Sequence, residues 1–222
     1  VTANPVEKYD HYGATPVDPP QERRERVLGT AAVRFAKTIR SKLDKQYDAL
    51  PHVVGKPFAL ALADFHAPGS MLWSREALVS YLYGFFARVI ERDGIQVAEA
   101  EEVRVLPGDR KIPSGLFRSE ENAGVSAIIF SNACSIAKLS RVGVSAGALL
   151  EDYRYVRIGE FFDRTPGALR GIPFSMDVSS AEYRALWNPY MYEPWSAEIE
   201  VFHNPLALHP ISDKMFPELT HW

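Results

Sequence analysis

The chain has 222 residues, of which 46% are hydrophobic and 24% charged, the proportions of an ordinary globular protein rather than of a disordered or fibrous one. The formal net charge of -3 gives no overall electrostatic attraction for nucleic acid. A single cysteine, Cys134, excludes an internal disulfide and a thiolate zinc cluster and favours a cytoplasmic location. Because no apolar stretch has the length of a membrane span, we expect no membrane partner.

The N-terminal part of the sequence predicts a loop followed by a long helix. Residues 1–20 are rich in proline and glycine, which favours an extended loop. Apolar side chains then recur at steps of three and four residues, and this spacing predicts a helix over residues 20–49. Gly29 is a candidate bend, and Pro51 ends the helix. The cations on its polar face form either a solvated surface or a phosphate-binding surface.

Two short apolar runs predict strands. Residues 58–63 and 125–130 lack alternation, which is typical of strands covered on both faces in a sheet flanked by helices. A short helix is predicted after the first run, with Ser74 as its N-cap and Gly84 at its end.

The following segments predict a β-hairpin, a strand and an irregular tail. Residues 85–106 form the hairpin, because the Asp93–Gly94 pair supplies the positive φ values of a tight turn. Residues 136–142 predict one or two helical turns, and residues 195–202 alternate as a strand does. The proline-dotted residues 206–222 predict an irregular C-terminal tail.

These elements predict a single α/β domain over residues 1–222, with α+β as the alternative class. We expect a mixed central sheet flanked by helices, a long N-terminal helix and a β-hairpin subregion. The first five residues, Val1 to Pro5, have the character of a strand entered in mid-course, which predicts that the chain is truncated at its N-terminus.

Polar side chains follow three of the predicted strands. Asp64 and His66 follow the first, Asn132 the second and His203 the third. Ligands of open α/β sheets bind beyond the carboxyl ends of the strands, so parallel strands would bring these residues into one polar cleft. A reversed strand would instead place one cluster at the opposite end of the sheet.

The same residues allow several chemistries. Asp64, His66 and His203 would make a two-histidine, one-carboxylate centre for iron or zinc, as in a mononuclear metal enzyme. Alternatively, Asp64 caps a turn and the histidines are structural. Cys134 is either a nucleophile paired with a histidine or, the preferred interpretation, a small buried residue.

Candidate partner surfaces lie elsewhere in the sequence. Arg110, Lys111 and Arg118 form a basic cluster in a polar loop and are candidate contacts to a polyanion such as nucleic acid. The aromatic residues around Trp73 and Phe85 belong either to the core or to a surface that binds a protein partner.

Four strings of the sequence carry a resemblance: KPFALALADFHAPGSMLWS, IPSGLF, VSAIIFSNACSIAKLSRVGV and VFHNPLALHP. Together they resemble a family of bacterial proteins of uncharacterised function, along nearly the whole chain. The family's layout is similar to the PD-(D/E)XK nuclease superfamily, in which acidic residues and a lysine on adjacent strands bind magnesium and activate water for phosphodiester cleavage.

The catalytic motif of that superfamily does not occur in this sequence. The resemblance therefore implies that the catalytic strands precede Val1, that the chain is an N-terminally truncated restriction-endonuclease-like domain, and that no catalytic residue is assigned within it. It implies Mg²⁺ or Mn²⁺ as cofactor and nucleic acid as partner. The alternatives are a non-catalytic interaction module of a bacterial multi-protein system and the mononuclear metal enzyme described above.

Overall fold

The computed structural model describes residues 20–67, 70–108, 111–148, 154–161 and 172–222. The predicted N-terminal loop up to residue 19 and the candidate residue Arg110 lie outside these ranges. The described helices and strands form an α/β fold with a mixed sheet, as predicted. None of the described helices combines the length and apolar character needed to cross a membrane.

The chain folds into two compact units. The larger unit is assembled from Pro20–Arg88, Ala100–Cys134 and Glu198–Trp222, and the smaller unit contains Val89–Glu99 and Ser135–Ala197. Since compact units of this kind occur both within one domain and as separate domains, the single domain over residues 1–222 stays a prediction.

The long N-terminal helix, α1, is present. It consists of three consecutive segments, which are α-helical Pro20–Arg24, π-helical Glu25–Ala32 and α-helical Val33–Leu43. Gly29, the predicted bend, lies within the π-helical segment. The helix ends before residue 49 because Gln46 adopts a left-handed conformation with φ of 51°, after which Tyr47–Ala49 form a single 3₁₀ turn.

The main sheet belongs to the larger unit and has four strands. In spatial order these are β1 (Ala59–Ala63), β6 (Ala127–Ser131), β9 (Glu200–His203) and β10 (Thr220–His221). Strand β1 runs parallel to β6, β9 runs antiparallel to β6, and β10 runs parallel to β9. The direction of β9 decides which polar residues meet.

The two apolar runs differ in burial. Strand β6 is buried at four of its five positions, as predicted. Strand β1 lies at the edge of the described sheet, and its Ala61 and Ala63 are exposed while Leu60 and Leu62 pack against the core. The prediction that β1 is covered on both faces is therefore wrong. The run looks apolar throughout because its open face carries small alanines rather than polar residues.

The core of the larger unit forms where α1 and helix α2 (Ser74–Tyr83) pack with the sheet. From α1, the buried residues are Val27, Leu28, Ala31, Ala32, Phe35, Ala36 and Ile39. Phe130 of β6 lies in an edge-to-face contact with Phe35 at 5.8 Å between ring centroids.

The predicted hairpin is present as β2 (Phe85–Arg92) and β3 (Ile95–Glu102). Asp93 and Gly94 have φ values of 55° and 77°, which are the positive values that the Asp–Gly pair predicts. Beyond Glu102 the chain does not continue the hairpin, and β4 (Val105–Leu106) pairs instead with β5 (Ile112–Pro113).

The smaller unit contains elements that the sequence did not predict. Helix α3 (Ile136–Ser145) extends the predicted turns, and strands β7 (Val156–Phe161) and β8 (Ile172–Asp177) form an antiparallel pair. Helix α4 (Ala181–Ala185) follows. Their core contains Val144, Val178 and Tyr183.

Candidate metal centre

Two histidines and an aspartate come together near the outer strands of the main sheet. His203 ends β9, His221 ends β10, and Asp213 begins a single 3₁₀ turn. The register places His221 beside Val201. Because residues two apart on a strand share a face, His203 and His221 are diagonal neighbours on one face.

The side-chain atoms of the three residues converge on one point. The Nε2 atom of His203 lies 2.8 Å from Nδ1 of His221. Asp213 Oδ1 lies 3.4 Å from His203 Nε2 and 3.6 Å from His221 Nδ1. His221 uses its other nitrogen, Nε2, to donate to the Phe216 carbonyl at 2.9 Å. In the neutral ring this bond places the proton on Nε2, so the Nδ1 lone pair faces the cluster.

The cluster is partly shielded on the histidine side and open on the aspartate side. The side chains of His203 and His221 are 22% and 16% exposed, whereas that of Asp213 is 76% exposed. Burial lowers the pKa of His203. The charge of Asp213 raises this pKa, the charge of His221 lowers it, and the net change is downward. The neutral imidazole, which is the form that binds metals, is therefore favoured at neutral pH.

Tyr83 fixes the strand end that carries His203. Its hydroxyl donates to the His203 backbone carbonyl at 2.9 Å. Burial raises the pKa of Tyr83 to about 12, so the hydroxyl stays protonated and keeps donating.

One side-chain atom from each of the three residues lies within 4.8 Å of the other two, so the three could hold a metal ion together. Metal–nitrogen and metal–oxygen bonds of about 2.1 Å place neighbouring tetrahedral ligands roughly 3.4 Å apart. Both distances to Asp213 are close to this value, and the two histidine nitrogens would need to separate by roughly half an ångström. The set is therefore nearly preorganised for a divalent ion.

Asp64 and His66, the first predicted site residues, form a dyad after β1. Both carboxylate oxygens of Asp64 lie 2.9 Å from Nδ1 of His66. The side chains are 10% and 7% exposed, respectively. The carboxylate thus orients the imidazole ring, which is a structural role and also the arrangement of a general base.

Asn132 lies at the same end of the sheet as Asp64, because β1 and β6 are parallel and Ala63 pairs with Ser131. Its side-chain amide donates to the Met71 carbonyl at 2.8 Å. This bond ties the end of β6 to the turn that precedes α2, so Asn132 positions the backbone in this structure.

His203 is separated from these residues. Strand β9 runs antiparallel to β6, and His203 pairs with Ala127, whereas Ala63 of β1 pairs with Ser131 at the other end of β6. The two ends are about 13 Å apart at the usual strand rise. The predicted cleft that combines Asp64, His66 and Asn132 with His203 therefore does not form, because β9 runs antiparallel to β6. The sequence does not determine these strand directions.

The other candidate residues that the structure describes lie at the surface. Arg118 donates to Glu102 at 2.8 Å and its guanidinium lies 5.3 Å from the Phe85 ring centroid, so its charge is engaged within the protein. Lys111 is exposed, and Arg110 lies outside the described residues. Cys134 is exposed as well, which overturns the preferred interpretation of a buried thiol.

A buried carboxylate that no sequence pattern predicted organises the smaller unit. Glu193 is fully buried and accepts hydrogen bonds from Arg141 at 2.8 and 2.6 Å and from the Tyr183 hydroxyl. The guanidinium of Arg157 lies 3.7 Å from Glu193 Oε1, and the Glu193 backbone N–H donates to the Ser145 hydroxyl. Burial opposes ionisation of Glu193, but the hydrogen bonds and the arginine charges outweigh it and lower its pKa.

This depressed pKa predicts an acid-sensitive smaller unit. A carboxyl group whose pKa is lower in the folded state than the usual 4.5 stabilises the fold above that value and loses this contribution as the pH falls through the folded pKa. We expect the free energy of unfolding to fall below about pH 4.5 with a steeper slope than in Glu193→Gln. Urea titrations between pH 7 and pH 3 measure the slope, and the exposed Glu182→Gln serves as control. Identical slopes in wild type and Glu193→Gln would contradict the prediction.

Asp213 and His221 were not predicted as site residues because both lie in the proline-dotted segment that predicts an irregular tail. One signal was present. Three of the six histidines, His203, His209 and His221, lie within the last 20 residues. Such local enrichment is a compositional sign of metal binding.

The fold class is α/β, and the site is a candidate two-histidine, one-aspartate metal centre. The chain matches no protein-family model, no curated protein and no solved structure.

Proposed function

We propose that the protein binds a divalent transition-metal ion through His203, Asp213 and His221 and uses it for metal-assisted hydrolysis. The observation that carries the proposal is the convergence of three ligand atoms within 4.8 Å. The mononuclear metal enzyme predicted from the sequence used Asp64, His66 and His203. The proposed centre retains His203, and its carboxylate and second histidine are Asp213 and His221.

The ligand set suits hydrolysis because it is incomplete. Three protein ligands leave one position of a four-coordinate ion for water, and a bound metal lowers the pKa of that water to about 7. Because the Asp213 side chain is 76% exposed, solvent and substrate would reach an ion held by the three residues. Hydrogen bonds to groups outside the ligand set hold the ligands in place, because His221 donates to the Phe216 carbonyl and the Tyr83 hydroxyl donates to the His203 backbone carbonyl.

The donor atoms also favour particular metals. Two imidazoles and a carboxylate suit zinc, iron and other first-row transition metals. Magnesium prefers oxygen ligands in octahedral geometry, so the Mg²⁺ implied by the nuclease resemblance matches this site less well than Mn²⁺ or Zn²⁺.

Removal of one ligand tests metal binding. We expect Asp213→Asn and His221→Gln to weaken Zn²⁺ binding by at least about 100-fold, because even residues that only orient metal ligands contribute 10- to 100-fold. Isothermal titration calorimetry gives the affinities. His209→Gln is the matched control, since His209 is exposed and lies outside the cluster. A wild-type protein that fails to bind Zn²⁺ or Mn²⁺, or equal losses in His209→Gln, would refute the proposal.

Hydrolysis is tested separately from binding. With Zn²⁺ or Mn²⁺, we expect the wild-type protein to cleave bis(p-nitrophenyl) phosphate or p-nitrophenyl esters, and Asp213→Asn to lose this activity. Because Asp213 is 76% exposed, the variant is expected to keep the fold, which circular dichroism verifies. Binding without turnover of any of these substrates would leave a metal-binding protein and remove the enzymatic part of the proposal.

The nuclease and interaction-module hypotheses stay predictions. Assays of DNA and RNA cleavage by this chain with Mg²⁺ or Mn²⁺ test the first. The second was predicted to bind through the aromatic residues around Trp73 and Phe85. Exposed apolar side chains support it, since Phe85 is 45% exposed and, on α3, Ile136 and Leu139 are 84% and 67% exposed.

A further inference from the structure

We infer that the metal ion at His203, Asp213 and His221 is also a latch, which holds residues 212–222 against the edge of the main sheet. We call these residues the terminal segment. The inference rests on the proposed metal site and adds a means of regulation to it, because occupancy of the site would decide whether the terminal segment is closed or open.

The three ligands come from two different parts of the larger unit. His203 ends β9, whose neighbour β6 is a buried strand of the sheet. Asp213 and His221 both belong to the terminal segment. An ion bound to all three therefore bridges the segment and the sheet, and opening the segment removes two of its three protein ligands.

The chain is well anchored just before the terminal segment. Asn204 is buried and its side chain donates to the Asn122 and Val125 carbonyls. The His209 carbonyl accepts from Ser126 at 2.6 Å, and Ile211 is buried in a small cluster with Ala127 and Val201. Residues 204–211 therefore form a fixed base for the terminal segment.

The terminal segment itself is held by few contacts. Strand β10 has only two residues. The backbone bonds around it include Trp222 N–H to Val201 at 2.9 Å, His203 N–H to Trp222 at 3.0 Å and a long one from Thr220 N–H to Ile199 at 3.4 Å. Phe216 and Leu219 are only partly buried, and Trp222 is 54% exposed beneath the guanidinium of Arg75. A segment with little buried apolar area opens at low cost. A metal ion that bridges it to the sheet would therefore strongly lower the fraction of molecules in which it is open.

Thermodynamic linkage between metal binding and closing of the terminal segment gives the expected size of the shift. A ligand that binds only the closed form at about 100 times its Kd shifts the closing equilibrium by roughly 100-fold. Amide hydrogens that exchange through opening of the terminal segment should then exchange roughly 100-fold more slowly.

Hydrogen–deuterium exchange with mass spectrometry tests the latch. We compare wild-type protein in EDTA with the same protein in Zn²⁺ at about 100 times the Kd measured by calorimetry. We expect slower exchange in peptides that cover residues 212–222 and unchanged exchange in residues 204–211, which serve as an internal reference. Asp213→Asn should lose the protection, and His209→Gln should retain it.

The outcomes separate the two proposals. If calorimetry shows Zn²⁺ binding that depends on Asp213 but exchange of residues 212–222 is the same with and without metal, the latch is wrong and the metal site stands. If calorimetry shows no binding, both are wrong. Protection that extends equally over residues 204–211 would also overturn the latch, since it would indicate general stabilisation of the unit.

Discussion

Replacement of Glu193 by alanine is expected to destabilise the smaller unit by about 3 to 5 kcal/mol, the range measured when one partner of a buried ion pair is removed. The substitution takes the carboxylate away from Arg141 and Arg157, whose side chains are only 18% and 14% exposed. It also removes the acceptor of the Tyr183 hydroxyl inside the unit. Urea denaturation followed by circular dichroism measures the loss.

A double-mutant cycle separates the ion pair from general packing. If the two guanidinium–carboxylate hydrogen bonds dominate, Arg141→Ala in the Glu193→Ala background should cost much less than Arg141→Ala alone. The exposed Glu182→Ala is the control and should change stability by less than about 0.5 kcal/mol. A loss below about 1 kcal/mol in Glu193→Ala would show that the buried network contributes little.

The second large effect is expected at Phe130 in the larger unit. Phe130→Ala should cost about 3 to 5 kcal/mol, because it deletes a fully buried aromatic ring and leaves a cavity that the neighbours fill only partly. The ring contacts Phe35 and Phe202 at centroid distances of 5.8 and 6.4 Å. Thermal unfolding and urea denaturation report the change.

Phe65→Ala is the matched control for this substitution. It deletes the same side chain from a position that is 56% exposed, so its cost should stay within about 0.5 kcal/mol. Similar losses in both variants would contradict the assignment of Phe130 to the centre of the core.

Local physical chemistry predicted several elements of the fold. The periodicity of residues 20–49 predicted α1, since a 3.6-residue repeat places apolar side chains on one face whatever the helix packs against. The Asp93–Gly94 pair predicted the hairpin, because its conformational preference is a property of two residues. The apolar run 125–130 predicted β6 for a similar reason. In each case the signal lies within a few consecutive residues.

Elements with weak local signals were missed. Strands β7 and β8 pair across residues whose composition shows little alternation, and β10 has only two residues. Glu193 looks like any surface acid in the sequence, and only the approach of Arg141 and Tyr183 makes its burial favourable. These features depend on partners far away in the chain, which a single sequence does not reveal.

The sequence by itself determined the α/β class, α1, the hairpin and the strand ends at which polar residues gather. Only the tertiary structure decided which of those residues meet. The antiparallel direction of β9 removed His203 from Asp64 and His66, and the parallel pairing of β10 supplied His221 and, with Asp213, the candidate metal centre. The reason is that strand direction and order arise from long-range pairing, whereas helix, turn and strand propensities arise from neighbouring residues.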